Sequence, residues 1–168
     1  MDFESKFYIT NNMIKKYVYR VVCFKIRLIC FMLVIISLGL MLISYSNEFY
    51  LFVLVCCFSF LLVLIFLIYP LGVYKNIINI KSRIHSNKEY EALVSFSNDI
   101  RLVEGEQKIT VDYKMINRIY EVDDIIVLMF TSQCGIIVSL DGLVIGDKKG
   151  FYKYILRKCS KVKNVIKR

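Results

Sequence analysis

The sequence predicts a membrane α-helical hairpin followed by an α+β domain, in which an antiparallel sheet is closed by a C-terminal helix. Three observations support this fold class: two long uncharged runs, a later stretch of short strand-like runs, and a final amphipathic segment. Apolar residues make up 57 % of the 168 residues, whereas about 45 to 50 % is usual in soluble domains. This excess lies mainly in the two uncharged runs.

The two uncharged runs are long enough to cross a bilayer. They span 28–47, with 20 residues, and 49–74, with 26 residues, and a helix needs about 20 residues to cross about 30 Å of hydrocarbon. Glu48 alone carries charge between them. Its carboxylate would cost at least about 2.5 kcal/mol at the bilayer centre, so we expect it in a turn that reaches water.

Two other structures could contain such uncharged runs. A buried hairpin in a soluble protein would need more covering surface than a small domain supplies. A cleavable signal peptide would have an apolar stretch of about 7 to 15 residues followed by a small-residue cleavage pattern, and the first run is longer and lacks that pattern. We therefore expect an uncleaved pair of spans.

Basic residues flank the hairpin and are missing from its turn, which places the turn outside the cell and both termini in the cytoplasm by the positive-inside bias. Those that follow the second run are candidate contacts for lipid headgroups, each worth about 1 kcal/mol near an anionic surface. They are Lys75, Lys81, Arg83 and Lys88. Nucleic-acid binding is not expected, because no recognisable module accompanies the charge.

The chain is accordingly divided into five parts within a two-span protein of the cell membrane. They are an N-terminal cytoplasmic segment (1–27), the first transmembrane helix (28–47), the turn with the second helix (48–74), a basic juxtamembrane connector (75–88) and a cytoplasmic domain (89–168).

The domain is predicted to contain five to seven strands in an antiparallel meander. Short runs rich in Val, Ile, Phe and Tyr are separated by turn residues such as Asp123-Asp124 and Asp141-Gly142. These runs are EALVSFS, DIRLV, QKITVDY, MINRIYEV, IIVLMFT and GIIVSL.

The segment 148–168 predicts a closing helix with Asp147 as its N-cap. Its apolar residues fall near one helical face, and its Lys and Arg residues lie elsewhere. The apolar positions are Phe151, Ile155, Cys159, Val162 and Ile166. We expect Phe151, Ile155 and Leu156 to pack on the sheet; a helix lying in the membrane interface is the alternative.

The sequence predicts no catalytic, cofactor-binding or metal-binding residues. The six cysteines form no C-x-x-C, and the single histidine, His85, has no Cys or His nearby. Phosphate-binding glycine loops are also missing. Glu121, Asp123 and Asp124 form the densest carboxylate cluster, which we interpret as a solvated hairpin turn, with an enzyme or cation site as the alternative.

Several stretches resemble the YcxB-like family of small bacterial membrane proteins. They are ESKFYITNNMIKKYVYR, ALVSFSNDIRLV, ITVDYKMINRIYEVDDIIVLMFTSQCGIIVSLDGL and GFYKYILRK. The resemblance covers nearly the whole chain and implies two transmembrane helices with a C-terminal pleckstrin-homology-like (PH-like) sheet or barrel closed by a helix. It implies no catalytic residues, and the chain departs from the family at Ile125-Ile126 and at Val138-Ser139-Leu140-Asp141.

The resulting functional hypothesis is a non-enzymatic integral membrane protein that presents a small cytoplasmic PH-like interaction domain. The domain would bind a protein or peptide, or a lipid headgroup. An accessory subunit of a membrane transport or signalling complex is one alternative, and a membrane enzyme acting through Glu121, Asp123 and Asp124 is another. The oligomeric state is left open, and membrane lipids are the expected contact.

Overall fold

The computed structural model describes residues 3–44, 49–85 and 90–168, so the predicted turn at Glu48 and the candidate contact Lys88 lie outside the described residues. The chain divides into two compact units. The first, which we call the domain, comprises Met1–Val22 and Ile78–Arg168. The second, which we call the helical unit, comprises Cys23–Ile77. The domain is therefore built from both ends of the chain.

The described part of the domain contains nine strands and a closing helix, which confirms the α+β class. Six strands, β2 to β7, coincide with the six predicted runs. The strands are β1 Phe3–Tyr8, β2 Glu91–Phe96, β3 Ile100–Glu104, β4 Gln107–Val111, β5 Arg118–Val122, β6 Ile125–Met129, β7 Gly135–Ser139, β8 Leu143–Ile145 and β9 Val165–Lys167.

The strands form two sheets. The five-stranded sheet has the order β4-β3-β2-β1-β8, and all its pairs are antiparallel. The four-stranded sheet has the order β7-β6-β5-β9, and its β9 runs parallel to β5. The described strands thus end in sheet edges rather than closing into one barrel, so the barrel form of the prediction is wrong.

The first strand comes from the N-terminal segment that the sequence analysis separated from the domain. β1 pairs with β2 over six positions, from Phe3 opposite Phe96 to Tyr8 opposite Glu91. Its side chains alternate: Phe3, Ser5 and Phe7 are buried, as expected for a half-buried strand. The long apolar helices are therefore an insertion between two neighbouring strands of one sheet.

The segment after β1 is helical. Helix α1, Asn11–Lys16, begins after Thr10, whose side-chain oxygen accepts a hydrogen bond from the Met13 amide at 3.3 Å. It continues into a π-helical turn, Tyr17–Val22. Tyr17, Val18 and Val21 are buried, so this turn belongs to the domain core.

The closing helix α4, Lys148–Lys158, begins at the predicted N-cap, because the Asp147 carboxylate accepts from the Gly150 amide. Phe151 and Ile155 are fully buried, as expected, whereas Leu156 is only half-buried. The predicted extension to residue 168 is wrong. The helix ends at Lys158, and a turn leads into β9, whose Ile166 is 37 % exposed.

Aromatic contacts fasten α4 to the five-stranded sheet. The Phe151 ring lies edge-on to Phe96 of β2, with centroids 4.9 Å apart, and to Phe3 of β1 at 5.6 Å. The Tyr154 hydroxyl donates to the Ser97 carbonyl at 2.8 Å. These contacts join β1, β2 and α4 in one core.

The helical unit consists of two helices that are long and apolar enough to cross a membrane. Helix α2 runs over Phe24–Ser44, and α3 over Phe49–His85, with Pro70 inside it. The predicted connector 75–88 is thus, as far as His85, the end of α3, and the last turns of this helix belong to the domain.

Few side chains of the helical unit are buried. Among the described residues they are Cys23 before α2, Pro70, and two pairs that lie seven residues apart, as in a left-handed helix pair: Cys30 and Ser37 on α2, Val55 and Leu62 on α3. The Ser59 hydroxyl donates to the Ser37 hydroxyl at 2.9 Å. The small residues Ser37 and Ser59 therefore mark the contact between the two helices.

Candidate functional site

The predicted carboxylate cluster lies at the β5–β6 turn and is paired with basic residues of the N-terminal segment. Asp123 occupies the left-handed region at φ 52°, which aspartate tolerates in turns. The Lys16 ammonium contacts Asp124 and lies 3.3 Å from Asp123. The Arg20 guanidinium lies 2.9 Å from Asp123. We call these four residues the turn cluster.

The charges of the turn cluster stabilise each other. The hydrogen bond from Lys16 lowers the pKa of the Asp124 carboxyl below its ordinary value, and the same bond raises the pKa of Lys16. A general acid or base needs a pKa near the working pH. The geometry therefore suits a structural ion pair that holds α1 on the hairpin turn.

Glu121, the third predicted carboxylate, faces other partners. Its carboxylate lies 3.8 Å from the Lys167 ammonium of β9. Burial raises the pKa of the neighbouring Tyr152 to about 12, and the Glu121 carboxylate adds to this effect. The structure thus does not bring Glu121 into one cleft with Asp123 and Asp124.

The residues 17–21, just before α2, are held by a second set of contacts. The Arg168 guanidinium donates to the carbonyls of Arg20 at 3.0 Å and Val21 at 3.5 Å, and its central carbon lies 4.5 Å from the Tyr120 ring centroid. The Tyr17 hydroxyl donates to the Gln133 carbonyl at 2.6 Å. We call the contacts of Arg168 the carbonyl clamp.

Sequence reasoning missed the carbonyl clamp. Arg168 and Arg20 are separated by 148 positions, and no spacing rule connects residues so far apart. The only local signal is a cation that follows the strand-like residues Val165 and Ile166. The clamp arises because β9 pairs with β5 and so carries Arg168 to the π-helical turn.

The predicted headgroup contacts do not form one compact site. Lys75 and Arg83 are exposed on α3. The Lys81 ammonium lies 5.2 Å from the Tyr90 ring centroid, a cation–π distance. At about 100° per residue the three positions lie on different sides of the helix. These positions suit charges distributed around the end of a helix better than a ligand-binding pocket.

More cations are exposed along the segment that follows β8. Within the described ranges, no carboxylate lies within 4.0 Å of five of them. They are Lys149, Lys153, Arg157, Lys161 and Lys163. The segment 148–168 contains nine basic residues and no acidic residue, so its solvent face is strongly positive.

Clefts open to a ligand occur in both units. One, of 420 Å³, lies on the outer face of the five-stranded sheet and is crossed by the Lys6–Glu91 ion pair of 3.1 Å. The other, of 300 Å³, lies between α2 and α3 and is lined mainly by apolar side chains such as Leu33, Leu54 and Phe58. Among the described residues, no group of three or more His, Cys, Asp or Glu side chains could hold a metal.

The chain matches no protein-family model, no curated protein and no solved structure. The resemblance to the YcxB-like family therefore stays a prediction from the stretches quoted above.

Proposed function

We propose that the protein is a non-enzymatic membrane-anchored adaptor. In this proposal α2 and α3 cross the membrane, and the domain binds a protein, a peptide or a lipid headgroup at its cytoplasmic surface. One observation carries the proposal: the apolar side chains of the helical unit point mostly outward, whereas those of the domain are buried.

The exposed apolar surface of the helical unit requires a cover. Phe31, Leu42, Phe60 and Leu67, for example, are between 53 and 80 % exposed. Soluble proteins seldom expose an apolar patch larger than about 300 to 600 Å², and apolar surface in water costs about 25 cal/mol per Å². Lipid chains remove this cost along the uncharged parts of both helices.

The sheet topology supports two spans with both ends on one side. The strand before the insertion, β1, pairs with the strand after it, β2. Both ends of the hairpin must therefore meet at the same domain, which an even number of spans allows. Together with the basic flanks of the hairpin, this favours a cytoplasmic domain.

The arrangement of the domain supports a PH-like and YcxB-like assignment as part of the proposal. Strands β1 to β4 lie in one sheet, β5 to β7 lie in the other, and α4 follows them. In such a domain the membrane hairpin would be inserted after the first strand. Loops and sheet edges of such a domain are places where binding surfaces commonly form.

Thiol labelling tests the topology. In a variant with Cys134→Ser, a membrane-impermeant thiol reagent added to intact cells should label Asn47→Cys and leave Asn98→Cys unlabelled until the cells are lysed. Resistance of the protein to alkaline carbonate extraction should accompany this pattern. Labelling of Asn98→Cys in intact cells would place the domain outside and refute the proposal.

Copurification in mild detergent tests the adaptor role. We expect the tagged protein to retain a partner protein or anionic lipid that a variant with the domain core disrupted by Phe151→Ala loses. Substrate turnover that disappears in the triple variant Glu121→Gln, Asp123→Asn, Asp124→Asn, with the fold intact, would favour the enzyme alternative instead.

A further inference from the structure

The exposed side of α4 carries a row of cations. Lys149, Lys153 and Arg157 follow one another at intervals of four residues and are all exposed, so their side chains are neighbours along one side of the helix. We call these three residues the α4 row. At about 1.5 Å per residue the row is about 12 Å long. Phe151 and Ile155, on the opposite side of the helix, are buried in the domain core.

The α4 row weakens the helix that carries it. Like charges four residues apart on a helix repel each other, and the row contains two such pairs. Lys149 also lies in the first turn, at the positive end of the helix dipole, and α4 itself contains no acidic residue. Within the described residues, no carboxylate lies within 4.0 Å of the row. The row therefore needs an explanation other than the stability of the domain.

Membrane topology and general solubility do not account for the row. Basic residues act on topology within about 15 to 20 residues of a span, and Lys149 lies far beyond this range, since α3 ends at His85. A surface that serves only solubility mixes both signs of charge, but this chain separates them. The stretch 89–147 has eleven acidic and four basic residues, whereas 148–168 has nine basic residues and no acidic residue. This separation favours a surface for an anionic partner.

The chemistry of α4 favours an acidic peptide over a nucleic acid or a membrane. Single-stranded nucleic acids stack on exposed aromatic side chains beside the cations, and interfacial helices insert large apolar side chains into the lipid. The exposed residues of α4 are all Lys or Arg, and its aromatic and aliphatic side chains are buried or half-buried. Side chains on one face of an extended peptide recur about every 6.7 Å, close to the step of about 6 Å along the row.

We propose that the α4 row binds an extended acidic segment of a partner protein, in which every second residue is Asp or Glu. Three carboxylates on one face of this segment meet the three cations, and Arg157 holds its carboxylate by two parallel hydrogen bonds. The inference deepens the proposed function, on which it rests, by naming the kind of partner and its place on the domain. The bound carboxylates also offset the repulsion within the row.

Fluorescence anisotropy of a labelled peptide tests the inference on the full-length protein in an uncharged detergent. The probe is a short peptide of alternating glutamate and serine, and a second probe has glutamine in place of glutamate. We expect only the glutamate probe to bind, with an affinity that falls as salt is added. The substitutions Lys153→Gln and Arg157→Gln should each weaken binding about threefold, as for an exposed ion pair.

The double variant Arg101→Gln, Lys108→Gln is the matched control for Lys153→Gln, Arg157→Gln, because each variant loses one lysine and one arginine. Arg101 and Lys108 are exposed on β3 and β4. Arg101 alternates with the buried Ile100 and Leu102, so it lies on the sheet face opposite to the core. We expect the control to bind the glutamate probe like the unchanged protein. An equal loss of affinity in both double variants, or no loss in either, would overturn the inference.

Thermal unfolding separates a loss of binding from a loss of fold. The variant Lys153→Gln, Arg157→Gln should unfold at the same temperature as the unchanged protein or at a higher one, because repulsion is removed. Unfolding at a lower temperature would make the row a structural feature and would overturn the inference. Tighter binding of polyuridylate or of micelles containing phosphatidylglycerol than of the glutamate probe, or self-association that needs the row, would assign the row to another partner and also overturn it.

Alkaline carbonate extraction distinguishes a failure of this inference from a failure of the proposed function. If the protein resists extraction and retains a partner that Phe151→Ala loses, but the glutamate probe does not bind, only the assignment of the α4 row is wrong. If the protein is extracted, the membrane anchor of the proposed function is wrong even where the probe binds.

Discussion

Phenylalanine side chains have opposite environments in the two units. Phe96 and Phe151 of the domain are completely buried, whereas Phe58 and Phe60 of α3 are 49 and 64 % exposed. Both regions contain the same apolar side chain, but its exposure differs between them. The domain buries it to become stable in water, while the helical unit presents it to its surroundings. Exposed apolar surface of this extent indicates that the helical unit is in contact with something other than water, such as lipid.

The backbone shows a parallel difference. The domain completes its sheets with strands from distant parts of the chain, since β1 pairs with β2 across the insertion and β9 pairs with β5. The helices of the helical unit satisfy their backbone groups locally, as segments in hydrocarbon must. A helical hairpin can therefore interrupt a sheet without taking any hydrogen bond from it.

The largest expected effect comes from one substitution made in both regions. Phe151→Ala should destabilise the domain by about 3 to 5 kcal/mol, because it leaves a cavity between Phe3 and Phe96. Phe60→Ala should leave the stability of the domain unchanged, because this side chain faces outward. Thermal unfolding and limited proteolysis in mild detergent measure both variants.

Equal losses for the two phenylalanines would break the comparison, because the helical unit would then share a core with another part of the protein. Resistance of Phe151→Ala to protease from β2 to β8 would show instead that α4 is dispensable for the fold. That second result would favour the alternative in which this segment lies in the membrane interface.

Local pattern was enough to predict most elements of the domain. Alternation and turn residues located β2 to β7, and Asp147 marked the beginning of α4. The helical spacing of apolar residues predicted the end of this helix wrongly. Cys159 follows Phe151 and Ile155 at that spacing and is buried, whereas Val162 and Ile166, which continue the spacing in the sequence, lie outside the helix. Beyond Lys158, pairing with β5 decides the structure.

Long-range contacts were beyond the sequence analysis for a physical reason. Asp123 and Asp124 were correctly placed in a turn, but their partners Lys16 and Arg20 lie on a segment more than 100 positions away. Propensity and periodicity describe neighbours in sequence. The pairing of β1 with β2 brings the N-terminal segment to the domain. The two strands are separated in the sequence by the long helices, so no local pattern indicates that they pair.

A smaller loss is expected at the carbonyl clamp, which joins the domain to the segment preceding α2. Arg168→Ala removes charge-assisted hydrogen bonds to the carbonyls of Arg20 and Val21, worth about 1.5 to 3 kcal/mol. Hydrogen exchange should quicken in residues 17–24, while β2 and β3 stay protected. Lys163→Gln is the control and should change exchange in neither region. If Arg168→Ala exchanges in residues 17–24 at the same rate as the control and the unchanged protein, the carbonyl clamp does not stabilise this segment.

The turn cluster should give a pH-dependent loss of about 1 kcal/mol or less, because its ion pairs are partly exposed. The folded-state pKa of Asp124 is lowered from 3.8. Its contribution is therefore present above that pH and lost as the pH falls through the lower folded value. Lys16 has a pKa raised from 10.5, so its contribution persists up to that pH and is lost as the pH rises further.

Asp124→Asn should accordingly be less stable than the unchanged protein at neutral pH, and the difference should vanish at acidic pH. Denaturant unfolding at a series of pH values measures it. Asp141→Asn, which removes the exposed ion pair with Lys148, is the matched control. A difference that persists below the pKa of Asp124 would exclude the ion pair as its cause.

The smallest expected effect again comes from one substitution made in both regions. In the domain, the fully buried Ser5 hydroxyl donates to the Ser139 carbonyl at 2.8 Å and connects the two sheets. Ser5→Ala leaves that carbonyl without its donor and should cost about 1 kcal/mol.

In the helical unit, Ser59→Ala should cost about 0.6 kcal/mol, the average for hydrogen bonds between membrane helices. The Ser37 hydroxyl still donates to the Val34 carbonyl at 2.8 Å, which keeps that loss small. Unfolding of the domain by denaturant, and of the helices by increasing fractions of a harsh detergent, measures the two losses separately. A Ser59→Ala loss larger than that of Ser5→Ala would mean that α2 and α3 depend on this polar contact more than on lipid and packing.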